Sequence, residues 1–258
     1  MIAILVAVKQ ELNPILKRAQ ARDVVRLAHL DFLEGSLGGE PVALLALGAG
    51  KDCARIAAEV TIKSYRPDLI ISAGFAGGLH PSVGDGDIVI GTEVLDLHQD
   101  AGHAVRWGLA HRLKERPELG DLNIGVRIHS GKILTADDII LRAATKHRLG
   151  RATGALAVDM ETSAVAAVCA ERGTDMLAVR CITDSVHEDL PEQFDDFFMV
   201  GQLQLRRVAS ACNRNPRVIF DLARLGLRAR LAGANLARFL EVAVKKLHLP
   251  TAPSCQLQ

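Results

Sequence analysis

Apolar positions along this chain fall into two kinds of pattern. Short continuous runs, namely Ile2 to Val8, Leu69 to Ser72, Ile88 to Leu97, Val126 to Ser130, Ala155 to Val158 and Met176 to Cys181, have the length and composition of buried strands. Between them lie stretches of helical spacing: Gln10 to Ala21, with Pro14 near its start, Lys51 to Ser64, Asp137 to Leu149, and the alanine-rich Glu161 to Glu171, which stops at Gly173. This alternation predicts an α/β domain whose mostly parallel sheet is wrapped by helices. One hairpin interrupts it, where Phe32 to Leu37 and Val42 to Leu47 straddle Gly38-Gly39, a pair suited to a turn with two left-handed residues. The stretch from His98 to about Gly125 is polar and weakly periodic, which predicts a loop and one short helix.

From Asn213 onward the pattern changes. Eight Lys or Arg stand there against Asp221 and Glu241, so the segment carries a charge of 8 − 2 = +6 while the whole chain carries +1. The sequence therefore divides into a main domain, residues 1–212, and a basic amphipathic helical extension, residues 213–258. Phe220, Leu227, Leu231 and Phe239 have spacings that can share one helix face. Two readings of this extension stay open: a solvated outer layer whose leucines pack on the domain, and a surface that rests on an anionic membrane.

Composition narrows the function classes. With 258 residues, 49% hydrophobic and 24% charged, the chain can bury a substantial core without a disulfide or metal staple. Near-neutral net charge gives no reason to expect nucleic acid as a partner. The five cysteines are odd in number and show no CxxC spacing, so they form neither a disulfide framework nor a zinc ribbon; Cys169 and Cys181 read as core residues. The histidines lack metal-ligand spacing, and neither a P-loop nor a dinucleotide fingerprint is present around Gly48-Ala49-Gly50-Lys51. No metal or cofactor is expected. The short N-terminal apolar run lacks a basic leader, and no run reaches the length of a membrane span, which points to a cytoplasmic protein, with the inner membrane face as its peripheral alternative.

Three acidic positions follow strands, at the ends where open α/β sheets hold ligands: Glu11, the Asp159-Met160-Glu161 segment, and Asp184 after Thr183. Carboxylates there suit the gripping of hydroxyls or the movement of protons. Any one alone reads more readily as a residue favouring a helix start. Gly48, Gly50, Gly74 and Gly77 would let backbone approach a ligand closely.

The segments Ile71-Ser-Ala-Gly-Phe-Ala-Gly-Gly-Leu79, Val83-Gly-Asp-Gly-Asp-Ile-Val89, Ala157-Val-Asp-Met-Glu-Thr-Ser-Ala164 and Val179-Arg-Cys-Ile-Thr-Asp184 carry a resemblance. In that order and spacing they resemble the methylthioadenosine/S-adenosylhomocysteine nucleosidase branch of the nucleoside phosphorylase superfamily, over roughly residues 1 to 205. The resemblance implies a single-domain nucleoside-phosphorylase-like α/β fold, a central mixed twisted sheet flanked by helices, here with the C-terminal helical extension. It implies cleavage of an N-glycosidic bond to release adenine from a 5′-substituted adenosine. Asp184 then resembles the general acid at purine N7, with Thr183 beside it, and Glu11 the residue that activates water. Glu161 resembles the ribose clamp, with Met160 under the sugar; Ala49 and Gly74 fall where backbone borders the ligand. A homodimer binding a small-molecule nucleoside is implied as well.

The chain departs from the family pattern in places. Asp159 stands where Glu is common, shortening a sugar-side contact. Phe75 replaces a small Ser, and the Leu134 region stands in for a base-stacking Phe. No cation lies immediately ahead of the glycine-rich run in Leu69-Ile-Ile-Ser-Ala-Gly74, so water is expected as acceptor in place of phosphate. The Leu/Arg-rich run opened by Asn215-Pro216 resembles the hopanoid-associated phosphorylases, which remove adenine from an adenosylated lipid. A catalytically silent nucleoside-binding protein is the other alternative, and the presence of Glu11, Glu161 and Asp184 together argues against it.

Overall fold

The computed structural model describes residues 1–97, 105–108, 119–191, 198–199, 202–203 and 217–247. In chain order these form β1 (Ile2–Val6), α1 (Lys9–Leu16), β2 (Gln20–Leu27), β3 (Leu30–Leu37), β4 (Glu40–Ala46), α2 (Lys51–Tyr65), β5 (Leu69–Gly78), β6 (Ile88–Asp96), β7 (Val105–Gly108), β8 (Ile128–Thr135), α3 (Ala143–Thr153), β9 (Ala155–Asp159), α4 (Thr162–Arg172), β10 (Asp175–Asp184), the short pair β11 (Phe198–Met199) and β12 (Gln202–Leu203), and α5 (Arg217–Lys246).

β1 is buried along its whole length and runs parallel to both neighbours, with Ile4 beside Leu44 of β4 and Ile71 of β5. A strand covered on both faces needs apolar residues at every position, which is why residues 2–6 form a continuous apolar run. Successive side chains leave on opposite faces. Ile2, Ile4 and Val6 enter one core with Leu12 and Ile15 of α1 and Leu236, Phe239 and Leu240 of α5. Ala3 and Leu5 enter the other, with Ala54, Ala57 and Ala58 of α2 and Val165 and Val168 of α4. Helices thus cover both faces of a mixed sheet.

The sheet does more than lie open. β5 pairs with β1 through Leu69 to Ser72, then with β9 through Gly77 and Gly78, while β10 runs parallel beside it throughout. Because β10 also pairs with β6, β6 with β8 and β8 with β9, these five strands close a ring. The glycine-rich run expected after a short strand is itself strand, the upper half of β5. Small residues there let the strand leave one set of neighbours for another.

Other boundaries also moved. α1 ends at Leu16, and residues expected in its last turns begin β2, which pairs with β3. The Gly38-Gly39 hairpin formed as expected, both glycines having positive φ. α3 begins at Ala143, not at Asp137; its first N–H groups face Asp189, whose carboxylate accepts from Ala143 N at 2.7 Å. α4 ends at Gly173 in the left-handed region, as its sequence predicts. Of the polar stretch from His98 to Gly125, residues 105–108 form β7 on the edge of β6, and most of the remainder lies outside the described residues.

The basic extension is one 30-residue helix over its described length. Its second half is built into the first core: Ala232, Leu236, Phe239, Leu240, Ala243 and Val244 are buried there, and Gly233 gives Pro14 room to pack. Phe239 therefore does not share an outward face with Leu227 and Leu231, which are 65% and 51% exposed. The Phe220 side chain lies outside the described residues. No described helix is long and apolar enough to cross a membrane.

Candidate active site

The first acid is fixed by backbone. Val8 is extended (φ −130°, ψ 159°), so the chain turns sharply into α1 and the Glu11 side chain folds back over the turn. Glu11 Oε2 accepts from the N–H groups of Ala7 (2.8 Å) and Val8 (3.0 Å), and Oε1 accepts from Phe75 N–H on β5 (2.7 Å). The carboxyl group is buried, and burial raises its pKa; the three N–H donors and the Arg180 charge pull the other way. A Cβ at Gly74 would stand 2.9 Å from Glu11 Oε1, so this position has no room for a side chain.

The second acid sits where β9 gives way to α4. Glu161 Oε1 accepts from Gly50 N–H at 2.8 Å, and Oε2 takes a longer bond of 3.3 Å from Met160 N–H. Gly48 and Gly50 both have φ of +95°, which aims the turn before α2 at this carboxyl. Burial pushes the Glu161 pKa up to about 7, with the Asp159 charge adding to it; Glu11 acts in the same sense and the Gly50 N–H in the opposite one. Glu11 and Glu161 are thus close enough to feel each other.

Asp184 ends β10, and Gly77 of β5 faces it: a Cβ at Gly77 would lie 3.1 Å from Asp184 Oδ2. Asp184 Oδ1 accepts from Thr183 Oγ1 at 2.8 Å. Oδ2 is 2.5 Å from Nζ of Lys146, a wholly buried lysine of α3 whose remaining bonds run to the carbonyls of Glu188 (2.9 Å) and Ser185 (3.3 Å).

Of the other expected site residues, Phe75, Met160 and Thr183 are half-buried beside these acids in sequence, and Ala49 is exposed at the turn whose Gly50 holds Glu161. Two expectations need correction. Asp159 does not turn toward a sugar position: its carboxylate is taken up by Thr135 Oγ1 (2.8 Å), by Thr162 N–H and Oγ1, and by Arg180 Nε (2.7 Å). β9 ends at Asp159, and the chain has left the extended conformation by Glu161 (φ −130°, ψ −31°), so strand alternation no longer relates the two side chains: Asp159 goes inward while Glu161 meets Gly50. Leu134 is wholly buried in a small cluster with Leu79, Leu95, Ala155 and Val158, and has no surface left to stack on a base.

Arg180, in turn, donates to Ser72 O and Ser72 Oγ besides Asp159. The sequence reading did not single out Lys146. Its signal was the pair Lys146 and Gly150, one helical turn apart on the face that α3 buries, where Gly150 lies against the Leu79 carbonyl. Lys51, which bridges Asp96 (2.6 Å) and Asp137 (2.5 Å), also passed unnoticed as a tether between β6 and the segment before α3. Cys169 and Cys181 are buried as expected, and His129 pairs with Asp87 at 3.1 Å; His98 and His103 lie outside the described residues.

Glu11 and Asp184, both buried, and the half-buried Glu161 follow β1, β10 and β9, each held by donors and bordered by glycine; carboxyl groups so placed suit the gripping of hydroxyls and the exchange of protons. Comparison with known proteins agrees with the architecture. The phosphorylase superfamily model matches residues 1–214. A 5′-methylthioadenosine/S-adenosylhomocysteine nucleosidase of Exiguobacterium is 27% identical over 226 residues, covering 83% of this chain and 97% of its own. The nucleosidase of the same name from Shewanella oneidensis is 32% identical over 186 residues, covering 67% and 79%. Among solved structures, the Neisseria meningitidis nucleosidase in complex with methylthio-immucillin-A superposes with a TM-score of 0.74 at 22% identity, covering 95% of this chain and 98% of that one. The futalosine hydrolase of Helicobacter pylori gives 0.73 at 17% identity, covering 95% and 97%. With a family match across more than four-fifths of its length and the fold to go with it, the chain belongs to the phosphorylase superfamily.

Proposed function

We propose that this protein hydrolyses the N-glycosidic bond of a 5′-substituted adenosine, of the methylthioadenosine/S-adenosylhomocysteine type, and releases adenine. The observation that carries this reading is the placement of Glu11, Glu161 and Asp184 where β1, β9 and β10 end, Glu11 against Gly74 and Asp184 against Gly77 of the same strand, each carboxyl fixed by hydrogen bonds. The relatives named above as methylthioadenosine/S-adenosylhomocysteine nucleosidases support it.

The chemistry follows from charge. Breaking the bond leaves positive charge on the ribose and negative charge on the departing purine. Glu161 accepts hydrogen bonds from the ribose hydroxyls, with Met160 under the sugar. Glu11 takes a proton from the attacking water, a task its burial favours by raising its affinity for protons. Asp184 delivers a proton to N7, and the two glutamates stabilise the oxocarbenium-like sugar. Water is favoured over phosphate because Arg180, the cation whose charge reaches Glu11 and Glu161, is committed to Asp159 and Ser72.

Asp184→Asn tests the assignment. Its amide can donate a hydrogen bond but cannot transfer a proton to N7, and adenine release should fall on the order of 10²-fold or more with the fold retained. Turnover near the wild-type rate would remove Asp184 from the mechanism.

A second reading concerns the substrate. Exposed Leu227 and Leu231 lie on α5 near the exposed Arg224 and Arg230, a combination suited to an anionic membrane surface and so to an adenosylated lipid. On either reading the protein acts as a homodimer, as the family resemblance implies.

A further inference from the structure

A buried lysine is costly unless it is paired, and Lys146 is wholly buried. Its ammonium lies 2.5 Å from Asp184 Oδ2. Thr183 supplies a second donor to the same carboxylate. A carboxylate that accepts from an ammonium and a hydroxyl is charged at rest, and the proton of the pair resides on nitrogen. A leaving purine needs a proton at N7, so the acid that faces it has to be supplied.

Resting on the role of Asp184 given above, we propose that Lys146 is the proton source for the leaving-group step, acting through Asp184 as its positioning and supplying residue. As the bond between ribose C1′ and purine N9 breaks, its electron pair moves onto the base. Asp184 takes a proton from Lys146 Nζ across the short contact between them and passes it to N7. Asp184 ends as the carboxylate it began as, and Lys146 ends as a neutral amine. The attacking water forms the new C1′–O bond and gives its proton to Glu11. After adenine leaves, Glu11 returns that proton to solvent and Lys146 regains one.

The surroundings hold this pair in register. Lys146 is fastened to the carbonyls of Ser185 and Glu188, and Asp189 accepts from Ala143 N–H at the start of the same helix. The Glu188 carboxylate pairs with Arg224 and Arg228 of α5, and Arg228 also meets Asp85, whose carboxyl feels the Asp184 charge. The His147 and His187 rings lie 4.9 Å apart, tilted by 56°, and Arg142 pairs with Asp189. α5 thereby reaches the proton-handling pair through one loop, residues 185–190.

The test is the pH profile of adenine release from methylthioadenosine by wild type and Lys146→Met. Without the ammonium, Asp184 must draw its proton from solvent, so the variant works only where solvent protons are plentiful. The rate ratio of variant to wild type should rise by on the order of 10²-fold between about pH 8 and about pH 5, with KM changed little. The charged neighbours named above are common to both proteins and cancel in that ratio. In Lys146→Ala, propylamine should restore turnover in proportion to its protonated concentration. A wild type that releases adenine beside a variant ratio constant with pH, or two inactive variants that propylamine does not restore, makes Lys146 a structural residue and overturns the inference. A wild type that releases no adenine overturns the functional reading itself.

Discussion

Gly74 exists as glycine on account of Glu11. The Glu11 carboxylate lies where a Cβ on residue 74 would have to be, 2.9 Å from Oε1, and the same oxygen accepts from the next N–H along the strand, that of Phe75. Gly74→Ala forces either the carboxylate or the strand to move. A displacement near 1 Å at a reacting group costs roughly 10²-fold in rate, so a fall in kcat of about that size is expected, well beyond the change in KM. Steady-state kinetics decide it, and an alanine variant with unaltered kcat means Glu11 does not touch the chemistry.

Glu11→Gln separates binding from water activation. A glutamine has one oxygen for three backbone N–H groups that now share two, so its NH₂ must face a donor and stability should fall by about 1–3 kcal/mol. On the proposed roles, ribose contacts through Glu161 and Met160 would stay in place. The variant should still bind methylthioadenosine, measured by calorimetry, while turning it over on the order of 10²-fold more slowly. Normal folding with no binding would recast Glu11 as a binding residue.

Glu161 gives the site a pH signature in stability. Its pKa in the folded protein is pushed up to about 7 from an ordinary 4.5. Between those values the folded chain keeps a proton that the unfolded chain has lost, so stability falls as pH rises through that window, and the loss is complete above it. Glu161→Gln removes the ionisation and keeps a carbonyl for Gly50 N–H. At about pH 8 the variant should melt a few degrees above wild type, and the gap should narrow as pH falls toward 4.5. A melting difference that does not vary with pH contradicts this account of Glu161, whatever the variant does to activity.

The exposed leucines of α5 divide the two substrate readings. A lipid-linked substrate predicts that the protein co-sediments with vesicles of anionic lipid at low salt, that neutral vesicles do not retain it, and that Leu227→Asp with Leu231→Asp abolishes retention. A free nucleoside substrate predicts no retention by either kind of vesicle.

Much of this arrangement was legible in the sequence where one local signal sufficed. Continuous apolar runs marked β1 and β10, and Gly38-Gly39 marked the β3–β4 hairpin. The preceding β2–β3 hairpin escaped because its turn is Ala28-His29, two left-handed residues that are not glycine. The apolar run marked this strand only as far as Ser72, yet β5 continues through the glycines at 74, 77 and 78 because closing the ring needs a strand with little side-chain bulk. Glu11, Glu161 and Asp184 stood out by their place after strands. The direction of a side chain was harder to read: Asp159 turns to Arg180, a partner 21 residues away, and Leu134 turns into a core cluster. Lys146 was hidden for a similar reason, since only tertiary packing tells a buried lysine from a solvated one.

The central claim is hydrolytic release of adenine, and purified protein incubated with methylthioadenosine tests it most directly. Products should be followed with and without inorganic phosphate in the buffer. Adenine and free methylthioribose in equal amounts, at a rate indifferent to phosphate, is the predicted result. Adenine appearing only with phosphate, together with a sugar 1-phosphate, or no adenine under either condition, would contradict it.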